Sequence, residues 1–346
     1  MALTRLKLNQ FTVFDDAEFE FCSGINVFIG KNSTGKSHAL KVMYALLRGL
    51  KQSSEEQASE SRRDKLIAER LTRIFLPDEL DRLIRRPALE PERGAELLLT
   101  GDNGSDAAVI LKDGITTMGP TTFQPPTPLY IPSRDVLAIS EGFIRLYEKR
   151  EISFDETYVD LCRALEDVPL RQPPEILGQI ESVLGGKVEQ KQGGRFYIKI
   201  GGEEFEAHLV GEGLRKIAIV VRLIANGVLT KGSVLFWDEP EAGLNPQMIA
   251  EVSGFIRGLA AWGVQIFIAT HDYLLSNRLS LAAGSGVAPQ VPTRFFSLHR
   301  AAANDPIEVE EGSTLEELQN NPIVRAHTEY YAYQRKLFAQ GNGAGT

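Results

Sequence analysis

The sequence predicts an α/β fold built on a mixed, mainly parallel sheet, and three observations predict it. A short apolar strand over residues 25–29 runs into a glycine-rich loop and then into a helical pattern. Two further near-continuous apolar runs, residues 234–237 and 264–269, are each followed by a helical pattern, which is how parallel strands covered on both faces read. Between them lie segments of apolar–polar alternation, which add antiparallel strands beside the core.

The elements follow in chain order. Residues 3–21 alternate in two runs, Leu6, Leu8 and Phe11, then Ala17, Phe19 and Phe21, and predict a hairpin turning at Asp15-Asp16. From Lys36 the residues Leu40, Val42, Met43, Leu46 and Leu47 take a helical period. Residues 53–93 are charged, with Leu66, Ile67, Leu71, Ile74, Leu80 and Leu83 as one apolar stripe broken at Pro77, and read as an inserted helical segment. Residues 96–112 and 128–131 read as strands around the turn Gly101-Asp102-Asn103-Gly104 and a loop rich in proline. A second helical insertion follows Arg134, and hairpin grammar returns around Gly193-Gly194 and Gly201-Gly202. The expected organisation is a first lobe of residues 1–50 and 96–134 with an antiparallel β-subdomain, helical insertions at 51–95 and 135–186, and a second lobe at 187–305. A C-terminal helical segment at 306–340 and a disordered tail at 341–346 complete it.

Composition narrows the function classes. The 346 residues are 43% hydrophobic and 24% charged, an ordinary globular balance. A net charge of −8 repels a phosphate backbone overall, so any contact with DNA must be local. Cys22 and Cys162 make neither a metal motif nor a disulfide framework and read as packed thiols in a reducing compartment. No run of 18 apolar residues and no secretory profile is present, so a soluble cytoplasmic protein without a membrane partner is expected.

The loop Gly30-Lys31-Asn32-Ser33-Thr34-Gly35-Lys36-Ser37 satisfies G-x-x-x-x-G-K-[ST] between a strand and a helix, the setting of a P-loop. Its glycines let backbone N–H groups curl around phosphate oxygens, and the following helix, opening with Lys36, Ser37 and His38, presents its positive end. Lys36 is expected to neutralise the β- and γ-phosphates of ATP and Ser37 to bind Mg²⁺. Val234-Leu235-Phe236-Trp237-Asp238-Glu239 has the form of a Walker B strand, with Asp238 for Mg²⁺ and Glu239 as general base. Ala269-Thr270-His271-Asp272 ends a second buried strand, where a parallel sheet binds its ligand, so His271 is expected at the γ-phosphate.

In this order, the P-loop, Leu209-Val210-Gly211-Glu212-Gly213-Leu214-Arg215-Lys216, the Walker B run and His271 resemble the head of an ABC-type ATPase. Glu239-Pro240-Glu241-Ala242-Gly243-Leu244-Asn245-Pro246, the run Leu8-Asn9-Gln10-Phe11 and Tyr130-Ile131-Pro132-Ser133-Arg134 look like its RecF/SMC/OLD branch. The resemblance implies a stand-alone, AAA-type ATPase head that dimerises head to head, with Gly211, Glu212 and Gly213 as a signature loop touching the nucleotide of the opposite subunit. Gly211 stands where serine is usual, which removes a hydroxyl donor. Asn245 stands in the D-loop where Asp or His is common, and Gln124 is a weak candidate for the Q-loop. The resemblance further implies a switch acting on a separate effector protein in a prokaryotic defence or toxin system. Two alternatives stay open: a RecF-type repair ATPase that clamps DNA, and a transporter ATPase subunit.

Other features take plain structural readings. Arg62-Arg63-Lys65 and Arg82-Arg85-Arg86 are expected to be solvated faces with i,i+4 pairs. Tyr330, Tyr331 and Tyr333 are expected to pack on a C-terminal helix. The imidazoles of His38, His208, His299 and His327 have no spaced ligand partners.

Overall fold

Strand β1 (Leu3–Phe11) pairs antiparallel with β2 (Phe14–Glu20), with Phe11 opposite Phe14. The turn is Thr12-Val13, not Asp15-Asp16. Phe11 and Phe14 are both fully buried, and Thr12 turns the chain at φ 51°. In this computed structural model residues 1–86, 94–191, 194–286, 288–302 and 305–341 are described.

Strand β3 (Ile25–Gly30) is buried at every position, and α1 (Lys36–Glu55) starts at Gly35. Gly35 has φ 94°, and a Cβ there would lie 2.6 Å from the Phe14 ring, so the position admits only glycine. Helix α2 (Glu60–Phe75) is capped by Ser59, whose hydroxyl accepts from the Arg62 N–H. It stops before Leu76-Pro77, where the proline disfavours helix in the residue preceding it. Residues 87–93 of the expected first insertion lie outside the described residues. Strands β4 (Ala95–Gly101), β5 (Asp106–Lys112) and β6 (Ile115–Met118) join the hairpin in an antiparallel sheet of order β2-β1-β4-β5-β6.

Strand β7 (Pro128–Ile131) leads into α3 (Phe143–Glu148), α4 (Glu156–Glu166) and α5 (Ile176–Leu184). Strands β8 (Gly186–Gln190), β9 (Phe196–Ile200) and β10 (Glu203–Glu206) form a three-stranded antiparallel sheet. The expected turn glycine Gly193 lies outside the described residues. The second lobe continues through α6 (Glu212–Ala225), β11 (Val234–Asp238), α7 (Pro246–Trp262), β12 (Gln265–Thr270) and α8 (Tyr273–Gly284). It ends with β13 (Thr293–His299), β14 (Glu308–Gly312) and α9 (Pro322–Gly341).

The segment 306–340 is therefore not wholly helical. Residues 308–312 form β14, which pairs antiparallel with β13 and covers what would be an open sheet edge. The expected tail lies outside the described residues from 342 onward. Tyr330, Tyr331 and Tyr333 do not pack: they are 56%, 61% and 58% exposed on α9.

The central sheet has the order β14-β13-β3-β12-β11-β7, parallel from β13 to β7. Its two faces carry different side chains. Val27, Ile29, Leu235, Trp237, Ile266 and Ile268 enter a core shared with α4 to α8. Tyr130, Phe28, Phe236, Phe267 and Phe296 enter a core shared with α1 and the five-stranded sheet. Rings meet at 5.1 Å between Phe236 and Phe267 and at 5.0 Å between Phe28 and Phe296. Each such buried side chain contributes about 1.5–3 kcal/mol. Parallel pairing places Thr270 beside Ile29, Ala269 beside Asp238 and Leu298 beside Gly30, so the strand ends carrying the chemistry share one edge.

The second insertion fastens to the P-loop helix and to the first insertion. Lys41 Nζ lies 2.8 Å from Asp155, and Arg70 pairs with Glu156 at 2.9 Å and with Asp160 at 3.4 Å. The Tyr44 hydroxyl donates to Asp160 at 2.8 Å. The two basic clusters are not simply solvated faces. Arg63 donates to the Met118 carbonyl at 2.6 Å, Arg85 pairs with Asp15 at 3.7 Å and the half-buried Arg62 pairs with Glu56 at 3.2 Å, whereas Lys65, Arg82 and Arg86 are exposed. Strand β6 and the β1–β2 hairpin, packed beside this segment, supply the partners of Arg63 and Arg85 from far along the chain. Among the described residues no helix is long and apolar enough to cross a membrane.

Candidate nucleotide site

The loop after β3 holds its lysine inside. Lys36 is 8% exposed, and its Nζ donates to the carbonyls of Gly30 at 2.8 Å and Lys31 at 2.9 Å. Burial pushes its pKa down, against the pull of Asp238, Glu239 and Glu241. Ser33 takes φ 63°, and Thr34 donates to the Lys31 carbonyl at 2.9 Å, which closes the loop on itself. A cavity of about 790 Å³ borders the loop at Lys31, Asn32 and Thr34 and is also lined by His299 and by Arg300, which donates to the Ser33 carbonyl at 3.4 Å.

Beside the loop stands Asp238, at the end of β11. The Ser37 hydroxyl donates to its Oδ1 at 3.1 Å and the Tyr130 hydroxyl to its Oδ2 at 3.3 Å. Burial pushes the Asp238 pKa up, while the hydrogen bond from Ser37 draws it back. Ser37 and Asp238 together offer two hard oxygen donors, the kind Mg²⁺ takes alongside phosphate oxygens, and so the residues fit that ion.

Glu239 occupies a strained backbone position, φ 48°, which a residue with a side chain rarely adopts. Four bonds hold it there. Its N–H donates to the Ala269 carbonyl at 2.8 Å, its carbonyl accepts from Lys216 Nζ at 3.1 Å and from the Ala242 N–H at 3.1 Å, and its Oε1 lies 3.1 Å from His271 Nδ1. The Glu239 carboxylate and the His271 imidazole are 33% and 52% exposed, open to a ligand while Asp238 is nearly closed.

The segment Gly211–Gly213 lies against the loop after Glu239. Gly211 precedes α6 with φ −57°, is exposed, and has nothing within 4 Å of an added Cβ. Gly213 is buried, and a Cβ there would meet Leu244 at 2.1 Å. Glu212 lies over Gly243, 3.0 Å from a Cβ built there. Asn245 caps α7, its Oδ1 accepting from the Met248 N–H at 2.9 Å. His38 packs on Phe75 with ring centroids 5.5 Å apart, and burial pushes its pKa down to about 4, so its neutral ring belongs to the core and only its backbone N–H in the first turn of α1 is offered to a phosphate. Gln124 is exposed and precedes β7, at the end of the sheet opposite Asp238, which removes it from the site.

Comparison with known proteins agrees with this geometry. Residues 125–277 match the family model described as "AAA domain, putative AbiEii toxin, Type IV TA system", and residues 1–73 match a second AAA-domain model. The SMC head domain from Thermotoga maritima superposes with a TM-score of 0.53 at 13% identity, covering 90% of this chain and 98% of its own. An SMC head bound to the C-terminal winged-helix domain of ScpA gives 0.56 at 13% identity, over 92% and 99%. The glutamine transport ATP-binding protein GlnQ of Bacillus subtilis is 20% identical over 62% of this chain and 87% of its own length.

The chain is similar to the P-loop ATPases of the ABC type and has the fold of an SMC head.

Three neighbours of Asp238 and Glu239 escaped the reading of the sequence as site residues. Glu241 is 6% exposed and accepts from the Thr270 hydroxyl at 2.6 Å, while its Oε2 has no partner. The Glu239-Pro240-Glu241 spacing was its one signal. Tyr130 and Lys216 stand inside runs that carry the resemblance, but nothing local gives either a role, because an aromatic in a buried strand and a lysine in a helix are unremarkable until their partners are known.

Proposed function

We propose that this protein binds ATP with Mg²⁺ and hydrolyses it, and that two copies complete each other's sites head to head. The observation that carries the reading is Glu239, held between Ala269, His271 and Lys216 directly after the Ser37–Asp238 pair. The loop Gly30–Ser37 would wrap the phosphates through its N–H groups, with Lys36 turning from its own carbonyls to the β- and γ-phosphates. Mg²⁺, held by Ser37 and Asp238, would neutralise charge on the phosphate oxygens. Glu239 would accept the proton of the attacking water, and His271 would orient that carboxylate and face the γ-phosphate. Gly211 and Glu212, exposed at the start of α6 with Gly213 buried behind them, would meet the nucleotide of the second copy, with Asn245 alongside.

The family match over 125–277 supports a role in a toxin or defence system; regulation of a separate effector in the cytoplasm is our extension of it. Of the basic residues that a DNA clamp would draw from the insertions, Arg63, Arg70 and Arg85 are engaged within the chain, while Lys65, Arg82 and Arg86 stay exposed, so the DNA-clamp reading remains the alternative.

Phosphate release from Mg²⁺-ATP, followed against protein concentration, tests the reading together with light scattering of Glu239→Gln with and without ATP. Turnover per chain should rise with concentration, and ATP should convert the variant to a dimer. Turnover that is absent ends the enzyme assignment. Full turnover from a monomer at every concentration ends the composite site.

A further inference from the structure

Lys216 lies in the second turn of α6 and is 1% exposed, flanked by the buried residues Ile217, Ala218, Ile219 and Val220. An amphipathic helix would ordinarily place an apolar side chain on this face, since an ammonium taken from water needs compensation. Its compensation is specific: Nζ donates to the Glu239 carbonyl at 3.1 Å, with carboxylates of Glu212, Glu241, Glu239 and Asp135 around it.

We propose that Lys216 is a positioning residue for Glu239, and that α6 thereby links the signature loop to the general base of the same chain. With its N–H on Ala269 and its carbonyl shared by Lys216 and the Ala242 N–H, Glu239 has the peptide on either side of its Cα fixed, in the left-handed conformation that accompanies its contact with His271, and Lys216 is the one side-chain donor on that carbonyl among the described residues. The first turn of the same helix is fixed to its surroundings. Arg215 donates to Asp135 at 2.7 Å, and Gly213 lies against Leu244. A displacement of the Gly211 end on meeting a second copy is carried along a rigid helix to Lys216, and from there to the backbone of the base. Each chain would then sense through its signature loop whether a partner is engaged and set its own Glu239 accordingly.

This inference rests on the ATPase and composite-site readings above, and the test separates them. Lys216→Met keeps length and apolar bulk and removes the donor. A base displaced by about 1 Å costs on the order of 10²-fold, so kcat should fall roughly 10- to 100-fold while the affinity for a fluorescent ATP analogue and the thermal midpoint stay near wild type. Lys216→Arg, which keeps a donor, should recover much of the loss. In single-turnover phosphate release, Lys216→Met should add little to the loss already caused by Glu239→Gln, because both act on one group. Should the methionine variant not fold, Lys216→Leu, which also lacks a donor, takes its place in the same cycle.

A variant without Lys216 that turns over like wild type overturns the inference, as do losses that multiply in the double variant. A silent wild-type protein would instead sink the ATPase reading, and a monomeric wild type with full activity the composite site.

Discussion

Ser37 and Asp238, 201 positions apart, meet with the Ser37 hydroxyl donating to Asp238 Oδ1 at 3.1 Å. The contact exists because β3 and β11 flank β12 in parallel register and end on one edge. Tyr130, from β7 on the other side of β11, holds the second oxygen of the same carboxylate. Tyr130→Phe should therefore raise the Mg²⁺ concentration needed for nucleotide binding by about 10-fold, the usual weight of an outer-shell partner. It should cost about 1 kcal/mol of stability. A magnesium titration with an unchanged midpoint would remove Tyr130 from the site.

Glu239→Gln should leave ATP affinity intact while slowing hydrolysis roughly 10²- to 10⁴-fold, the worth of a positioned base. His271→Ala should slow it less, since the imidazole at 3.1 Å orients a base that remains present. Calorimetric binding beside steady-state turnover decides this, and wild-type turnover in Glu239→Gln would exclude it as the base.

Lys36→Ala should act on binding itself. A charged hydrogen bond is worth about 1.5–3 kcal/mol, so affinity for ATP should fall roughly 10- to 100-fold. Equal affinities of variant and wild type would contradict the phosphate-loop assignment.

Gly211→Asp is the sound probe of sharing between subunits. The backbone there is ordinary and the space around it open, so the variant should fold and bind ATP as a single chain. Its carboxylate would oppose the partner's γ-phosphate, and ATP-dependent dimerisation and turnover should fall together, at least 10-fold. Mixed with Lys36→Ala, it should regain about one working site per heterodimer, and demonstrated heterodimers without activity would speak against independent composite sites. Gly213→Asp cannot serve, because its side chain would collide with Leu244 of the same chain.

Alkaline stability should report Cys162. Burial pushes its thiol up to about 12 from an ordinary 9.0. Between those values the unfolded chain loses a proton that the folded chain keeps, so stability falls as pH rises, by up to about 1.4 kcal/mol per pH unit from this group. Below pH 9 the contribution is constant. Denaturant titrations of wild type and Cys162→Ala from pH 8.5 to 10.5 should show a shallower fall in the variant, and parallel curves would refute the assignment.

The sequence by itself determined the strands and helices that carry the site. The apolar runs before Gly30, Asp238 and His271 and the spacing of the P-loop are local patterns, and local patterns record which face is buried and where the backbone must turn. Its errors came where distant partners decide. The hairpin turned at Thr12-Val13 because Phe11 and Phe14 both had a core to enter. Residues 308–312 became a strand because β13 had an edge to cover, and Arg63 and Arg85 left solvent for Met118 and Asp15. Only the tertiary structure decided that Tyr130, Lys216 and Glu241 surround the Walker B carboxylates, and that the second insertion locks onto α1 through Asp155 and Asp160 and onto the first insertion through Glu156 and Asp160. Periodicity registers burial, whereas the pairing of a buried charge is set by sheet register and helix packing, which bring together groups that no window of sequence contains.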